Sequence, residues 1–124
     1  KNKVKRIMGK LNKKIINLVG KTKIKNLFSL FNASKLVIGL DTGTQHIAAF
    51  EGSNVITITS CWNFENTWTP SGKGKIISLK SRVKSPVCLF HLDNKKRKSC
   101  SKTPQCIELI STNEVINAID KILK

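Results

Sequence analysis

Short apolar runs alternate with helical patterns along the first half of the chain. Residues 14–19, 36–39 and 55–60 form apolar runs of strand length, and the last of these is rich in β-branched side chains. Between them, residues 24–31 and 45–50 carry apolar side chains at helical spacing. The pattern therefore predicts the order strand, helix, strand, helix, strand.

This order of elements predicts the class of fold. Strands that alternate with helices need crossover connections, which produce a mostly parallel sheet with helices packed on its faces. The uniformly apolar run at 36–39 agrees, because a parallel strand is buried on both faces. We expect an α/β protein, a small three-layer Rossmann-like domain with a short, mostly parallel sheet.

The second half of the chain is less regular. Residues 61–75 have the glycine and proline content of a loop, and 75–79 are one further strand candidate. The segment 81–106 is expected to be irregular, and it is basic and contains cysteines. Ser111 and Glu114 then have the spacing of a capping box, which predicts the start of a final amphipathic helix.

The chain is strongly basic. Its 124 residues include 23 Lys and Arg against 7 Asp and Glu, a formal net charge of +16, so an anionic partner is expected. Residues 1–25 contain no acidic side chain, and 1–13 read as a basic lead-in to a single domain within 1–124. Neither Trp lies in a basic run and Tyr is absent from the sequence, so specific nucleic-acid binding through base stacking is not expected.

Targeting signals are not evident in the sequence. No run approaches the roughly 18 consecutive apolar residues of a membrane span, and the first residues lack the apolar core of a signal peptide. We expect a cytoplasmic protein, or one that is peripheral at the inner face of the membrane. An anionic membrane surface is then a candidate partner.

The motif Asp41-Thr42-Gly43 follows the second apolar run and has two interpretations. In the first it is the Asp-Thr-Gly of an aspartic protease, and a dimer would pair two carboxylates that share one proton. Those proteases are all-β, whereas the residues after Gly43 have a helical pattern. In the second, a strand ends in a small-residue turn and enters a helix, whose first backbone N–H groups can bind a diphosphate.

The diphosphate interpretation gives each residue of the motif a role. Gly43 lets the backbone approach a phosphate closely, and Thr42 adds a hydroxyl donor. Asp41 orders the turn or reaches a sugar hydroxyl, because a carboxylate beside phosphate is unfavourable. The alternative for Asp41 and Thr42 is an ordinary helix N-cap without a ligand.

Two further motifs were weighed for chemistry. A tetrahedral zinc site needs four ligands, and the candidate set is Cys88, His91, Cys100 and Cys106. Disulfide bonds and reduced, non-ligating thiols are the alternatives, and reduced thiols suit a cytoplasmic chain. The sequence Gly20-Lys21-Thr22 is not a P-loop, because that motif needs a glycine where this chain has Ile15.

Several segments, taken in order, resemble one enzyme family. They are NLVGKT at 17–22, LVIGLDTGTQHIAA at 36–49, the loop at 68–72 and ELISTNEVINAI at 108–119. Over residues 16–123 the chain resembles the C-terminal half of the heptosyltransferases, glycosyltransferase family nine. Members of this family have the GT-B architecture, with the active site between two Rossmann-like domains. They transfer a sugar, often heptose, from a nucleotide diphosphate to a lipopolysaccharide core without a metal.

The resemblance implies a site for the sugar donor. The residues implied to contact its diphosphate and sugar are Asp41, Thr42, Gly43 and His46. Those implied to lie near the nucleotide base and ribose are Gly20, Lys21 and Thr22. The expected ligand is a nucleotide-diphosphate sugar, with ADP-heptose as the first expectation, and no cofactor is expected.

The resemblance also implies that this chain holds no catalytic residue. In the family the N-terminal acceptor domain supplies the catalytic base, and we expect that domain to be missing here or supplied by another chain. Leu40 and Thr44 also stand where many members have Asn and Pro. The alternative functions are a basic, non-enzymatic module that docks anionic lipid or nucleic acid and, less favoured, the dimeric aspartic protease.

Overall fold

The computed structural model of the chain describes residues 15–60, 68–81 and 105–124. Its strands are β1 (Leu36–Leu40), β2 (Asn54–Thr59) and β3 (Ile76–Lys80). Its helices are α1 (Ile24–Asn32), α2 (Gly43–Phe50), the one-turn α3 (Gln105–Glu108) and α4 (Thr112–Leu123). Within these ranges no helix is long and apolar enough to cross a membrane.

The strands form one parallel sheet with β2 at its centre, which confirms the predicted fold class. One row of the register runs from Gly39 through Thr57 to Ser78. Beyond the last residue of β1, the backbone N–H of Asp41 still donates to the carbonyl oxygen of Ile58, at 3.2 Å. Because the strands are parallel, the segments that follow them all begin at one edge, called here the carboxyl edge.

Helices α1 and α2 cover one face of the sheet. The buried residues of this layer are Phe31, Ala48, Ala49 and Val55. The two alanines are 0% exposed, and their small side chains let the backbone of α2 lie close to the sheet. Partly buried Leu27, Val37 and Ile76 fill the space around them, so the layer has a continuous apolar core.

Helix α4 covers the opposite face, which completes the three layers. Its buried Ala118 and Ile122 pack against Ile56 of the central strand. Lys75 reaches across from the start of β3, where its Nζ donates to the carbonyl oxygen of Ile122 at 3.5 Å. The central strand is therefore buried on both sides, as the sequence predicts for a parallel sheet.

The start of α4 is fixed by the predicted capping box. The backbone N–H of Glu114 donates to Ser111 Oγ at 3.2 Å, and the backbone N–H of Ser111 donates to Glu114 Oε2 at 2.8 Å. These bonds satisfy N–H groups that the helix itself cannot pair. The prediction from the spacing of Ser111 and Glu114 is confirmed.

The first predicted strand is wrong. Over its described part, the run at 14–19 forms no strand and leads into a turn, in which Lys21 N–H donates to the carbonyl oxygen of Leu18 at 3.0 Å. Asn17 Oδ1 accepts from the N–H two residues on, and Gly20 has a φ of +73°. Such side-chain bonds compete with strand pairing, and apolar content alone did not reveal them.

Two other predicted segments fall mainly outside the described residues. The basic lead-in 1–13 is one of them, and most of 81–106 is the other. Gln105 and Cys106, at the end of the second segment, begin α3 rather than continuing an irregular stretch. The predicted loop at 61–75 has no regular structure over its described part.

The loop before β3 packs closely on backbone at the amino ends of the strands. A Cβ on Gly72 would collide with the carbonyl oxygen of Ala49, and one on Gly74 would collide with that of Ser53. The carbonyl oxygen of Lys75 accepts from the N–H of Val55 at 2.9 Å. These contacts fix the loop at the edge of the sheet opposite the carboxyl edge.

We expect Gly72→Ala to lower the free energy of unfolding by about 1–3 kcal/mol, because the added methyl group meets a backbone carbonyl rather than a flexible side chain. The matched control is Gly43→Ala, since a Cβ at Gly43 meets no atom within 4 Å. Urea denaturation followed by circular dichroism measures both variants. Equal stability of the two variants would contradict the close packing at Gly72.

Candidate functional site

The turn that joins β1 to α2 lies at the carboxyl edge. Thr42 is the N-cap residue, with an extended backbone (φ −145°, ψ 164°), and Gly43 is the first residue of the helix. Thr42 Oγ1 lies 3.3 Å from the carbonyl oxygen of Leu40, to which it donates, and 2.8 Å from Thr44 Oγ1. Its side chain makes no capping bond to the helix. The Thr42 side chain therefore caps none of the first N–H groups of α2, and the N–H of Gln45 donates instead to the carbonyl oxygen of Thr42 at 3.0 Å.

Gly43 leaves open space beside these N–H groups. A Cβ at this position would have no neighbour within 4 Å, and the backbone there is not in the left-handed region. The turn itself therefore does not require glycine, since other residues adopt this conformation. Glycine leaves room beside the start of the helix among the described residues, and the approach of a phosphate there stays a prediction.

The other two residues predicted near a diphosphate flank this turn. Asp41 is half-buried, and its backbone continues the pairing of β1 with β2. His46 is half-buried on α2, four residues after Thr42 and three after Gly43. Residues three and four apart lie on one side of a helix, so His46 shares a side with the start of α2.

The loop at 20–22 is exposed and immediately precedes α1. Residues 33–35 join the end of α1 directly to β1, so the helix runs back along the sheet, and its 9 residues span about 13 Å. Ser53 Oγ donates to the carbonyl oxygen of Phe31, which ties the end of α1 to the amino end of β2. The end of α1 is therefore fixed at the amino ends of the strands, and the position of the loop at 20–22 beside the turn at Asp41 stays a prediction.

A polar layer beneath the first turn of α2 was missed by sequence reasoning. Gln45 is only 3% exposed, and its side-chain amide fills the space that a Cβ on Gly39 would take. In the next strand Thr57 is fully buried, and Thr59 Oγ1 forms a 3.0 Å hydrogen bond with Ser78 Oγ. The available signal was the alternation of Thr57 and Thr59, since every second residue of a strand faces the same side.

Some oxygens in and near this layer have no hydrogen-bond partner among the described residues. They are Gln45 Oε1, Thr57 Oγ1 and Ser81 Oγ. A buried polar atom without a partner costs roughly 1–3 kcal/mol, so native proteins usually satisfy it with water or a ligand. The carboxyl edge therefore carries hydrogen-bonding capacity that packing alone does not use.

The proposed zinc ligands cannot be placed. Cys88, His91 and Cys100 lie outside the described residues, as does the side chain of Cys106. In the part of the chain that is described, no group of three or more His, Cys, Asp or Glu side chains could hold a metal ion. The zinc set stays a prediction.

Comparison with known proteins gives one match. The sequence model of glycosyltransferase family 9 (heptosyltransferase) matches residues 1–99. No curated protein and no solved structure matches the chain. The matched range contains the whole sheet, the loop at 20–22 and the turn at Asp41, whereas α4 lies beyond it.

We expect Thr42→Asn to raise the free energy of unfolding by about 0.5–1 kcal/mol, because Asn is a better N-cap and can accept a bond from the first turn of α2. The control is Ser111→Ala at the capped start of α4, which should lower it by about 1 kcal/mol. Thermal and urea unfolding measure the stability of both variants. Destabilisation by Thr42→Asn would show that the Thr42 hydroxyl has a structural role that we have missed.

Proposed function

Because the chain belongs to glycosyltransferase family 9, the heptosyltransferase family, we propose that it binds the nucleotide-diphosphate sugar of a glycosyl transfer reaction. The family supports a glycosyltransferase that uses a sugar donor. The observation that carries the finer proposal is the turn at Asp41-Thr42-Gly43. It brings a helix start without an N-cap side-chain bond to the carboxyl edge of a parallel sheet, inside the matched range.

The electrostatics of this turn suit a diphosphate. The start of α2 carries the positive end of the helix dipole, which favours an anion by about 0.3–1 kcal/mol. The space beside Gly43 allows phosphate oxygens to approach the N–H groups of Gly43 and Thr44. The net charge of +16 further favours the encounter with an anionic donor.

Other residues at the edge have supporting roles in this proposal. His46, one turn into α2, contacts the diphosphate or the sugar. The loop at 20–22 borders the nucleotide base and ribose, and exposed Lys21 adds a cation on that side. Asp41 orders the turn or accepts a hydrogen bond from a sugar hydroxyl, away from the phosphates.

In the transfer reaction these residues bind the nucleoside diphosphate, which is the leaving group of the donor. A hydroxyl of the acceptor attacks the anomeric carbon, the bond from that carbon to the diphosphate oxygen breaks, and its electron pair leaves with the nucleoside diphosphate. Hydrogen-bond donors at the start of α2 stabilise the charge that grows on that diphosphate. The proton of the attacking hydroxyl needs a base, and we assign none among the described residues. ADP-heptose is the first donor to test, and a lipopolysaccharide core is the first acceptor.

We expect Gly43→Val to weaken donor binding at least tenfold while the protein stays folded. The valine side chain would occupy the space through which we propose that the phosphates approach, and its Cβ meets no atom of the described residues within 4 Å. Calorimetric titration with ADP-, GDP- and UDP-sugars first identifies the donor that the wild-type chain binds best. That donor is then titrated into the variant.

The controls separate a blocked site from a damaged fold. Gly43→Ala adds a smaller group at the same position and should weaken binding less. Thr69→Val changes an exposed residue of the loop before β3 and should leave the affinity unchanged. If Gly43→Val binds the donor as tightly as wild type, the site lies elsewhere in the chain.

An anionic membrane surface is the second partner that we propose, because a lipid-linked acceptor is met at a membrane. Lys21, Lys23 and Lys25 are exposed around the start of α1. Each lysine near an anionic surface contributes about 1 kcal/mol, and salt screens this attraction over roughly 8 Å. Co-sedimentation at low salt should therefore be stronger with anionic than with neutral vesicles. Equal co-sedimentation with both kinds would remove this partner.

A further inference from the structure

The sheet face beneath α2 changes from apolar to polar toward the carboxyl edge. One row of the register consists of Val37, Val55 and Ile76. The next row on the same face consists of Gly39, Thr57 and Ser78. A parallel strand buried on both faces is normally apolar throughout, so the polar row is not required by the sheet. Within this row Gly39 lies under the Gln45 side chain of α2, Thr57 is fully buried and Ser78 is exposed.

Gln45 connects this polar row to the turn above it. Its backbone N–H donates to the carbonyl oxygen of Thr42 at 3.0 Å, so a shift of Gln45 moves the turn. Its side chain rests on Gly39, with Cδ 3.1 Å from the position that a Cβ would take there. Farther along the helix, Ala48 and Ala49 make the close contact with the sheet. The Gln45 side chain thus sets the distance between the first turn of α2 and the sheet.

The unpaired oxygens of the layer lie over neighbouring positions of the sheet. Gln45 Oε1 is 3.7 Å from the Cβ position of Gly39, and Gly39 pairs in register with Thr57. Both Gln45 Oε1 and Thr57 Oγ1 are buried without a partner among the described residues. A water molecule held between two such groups satisfies both, and buried waters of this kind are integral parts of protein structures.

We propose that the amide of Gln45 is a positioning group for the donor turn, joined to the Thr57 hydroxyl through one buried water molecule. This inference rests on the proposed function, because the turn it positions is the proposed diphosphate site. The pair fixes the distance of the Gly43 and Thr44 N–H groups from the sheet, so that both groups are in position to bind a diphosphate. Gln45 and Thr57 act through the backbone and make no contact with the donor.

The test uses substitutions that keep size and remove polarity, namely Gln45→Met, Thr57→Val and the double variant. Each single change should weaken the binding of ADP, the probe, about three- to tenfold, as expected for the loss of one hydrogen bond. The double variant should bind no more weakly than the weaker single variant, because both changes remove the same bridge. Each single variant should be less stable than wild type, because it leaves the other buried group without its water-mediated partner, and the double variant should regain stability.

The bridge between Gln45 and Thr57 and the binding of a donor at the turn can fail separately. Unchanged ADP affinity in both single variants, or strictly additive losses in the double variant, would overturn it. If ADP, GDP and UDP all fail to bind the wild-type chain, the proposed function fails, and the inference is then judged on the ligand-free protein by nuclear magnetic resonance. In the ligand-free protein, Thr57→Val should shift the amide signals of Gly43 and Thr44 and remove a water–protein cross-peak at Gln45. Unshifted amide signals together with a retained cross-peak would refute the bridge. Thr69→Val is the matched control and should change neither signal.

Discussion

Helix α2 lies almost against the backbone of the sheet, because Ala48 and Ala49 occupy its buried side and Gly39 receives the amide of Gln45. Larger side chains at these positions would lift the helix and open the apolar layer beneath it. The close approach also carries the start of α2 to the carboxyl edge. The location of the turn at Asp41-Thr42-Gly43, the proposed donor site, is therefore a consequence of how this one helix packs.

The same packing decides which groups are left for a ligand. Thr42 uses its hydroxyl on the carbonyl oxygen of Leu40 and the hydroxyl of Thr44, so its side chain makes no capping bond to a backbone N–H of α2. The start of α4 shows the opposite solution, since the Ser111 and Glu114 side chains satisfy its first N–H groups. The N-cap side chain thus caps α4 but not α2, a difference that suits the binding role that we propose for the start of α2.

Much of the fold could be predicted from the sequence, because helices, strands and caps depend on residues that are close together in the chain. Apolar spacing predicted α1, α2 and the parallel strands, and the Ser111 and Glu114 pair predicted the start of α4. The run at 14–19 was misread, since apolar content does not reveal whether a neighbouring strand exists or whether Asn17 makes a turn. The donor motif was found from its residues, whereas the layer of Gln45 and Thr57 needed the register, which brings residues distant in sequence together.

The two edges of the sheet differ in how closely their glycines are packed. At the amino ends of the strands, Gly72 and Gly74 press against the carbonyl groups of Ala49 and Ser53, so almost any larger side chain there disturbs the backbone. At the carboxyl edge, Gly43 has open space around it and the turn tolerates other residues. Variation at the carboxyl edge is thus uncoupled from the contacts that maintain the fold. The fold leaves the sequence around Gly43 free to change, whereas selection on folding holds the glycines of the other edge constant.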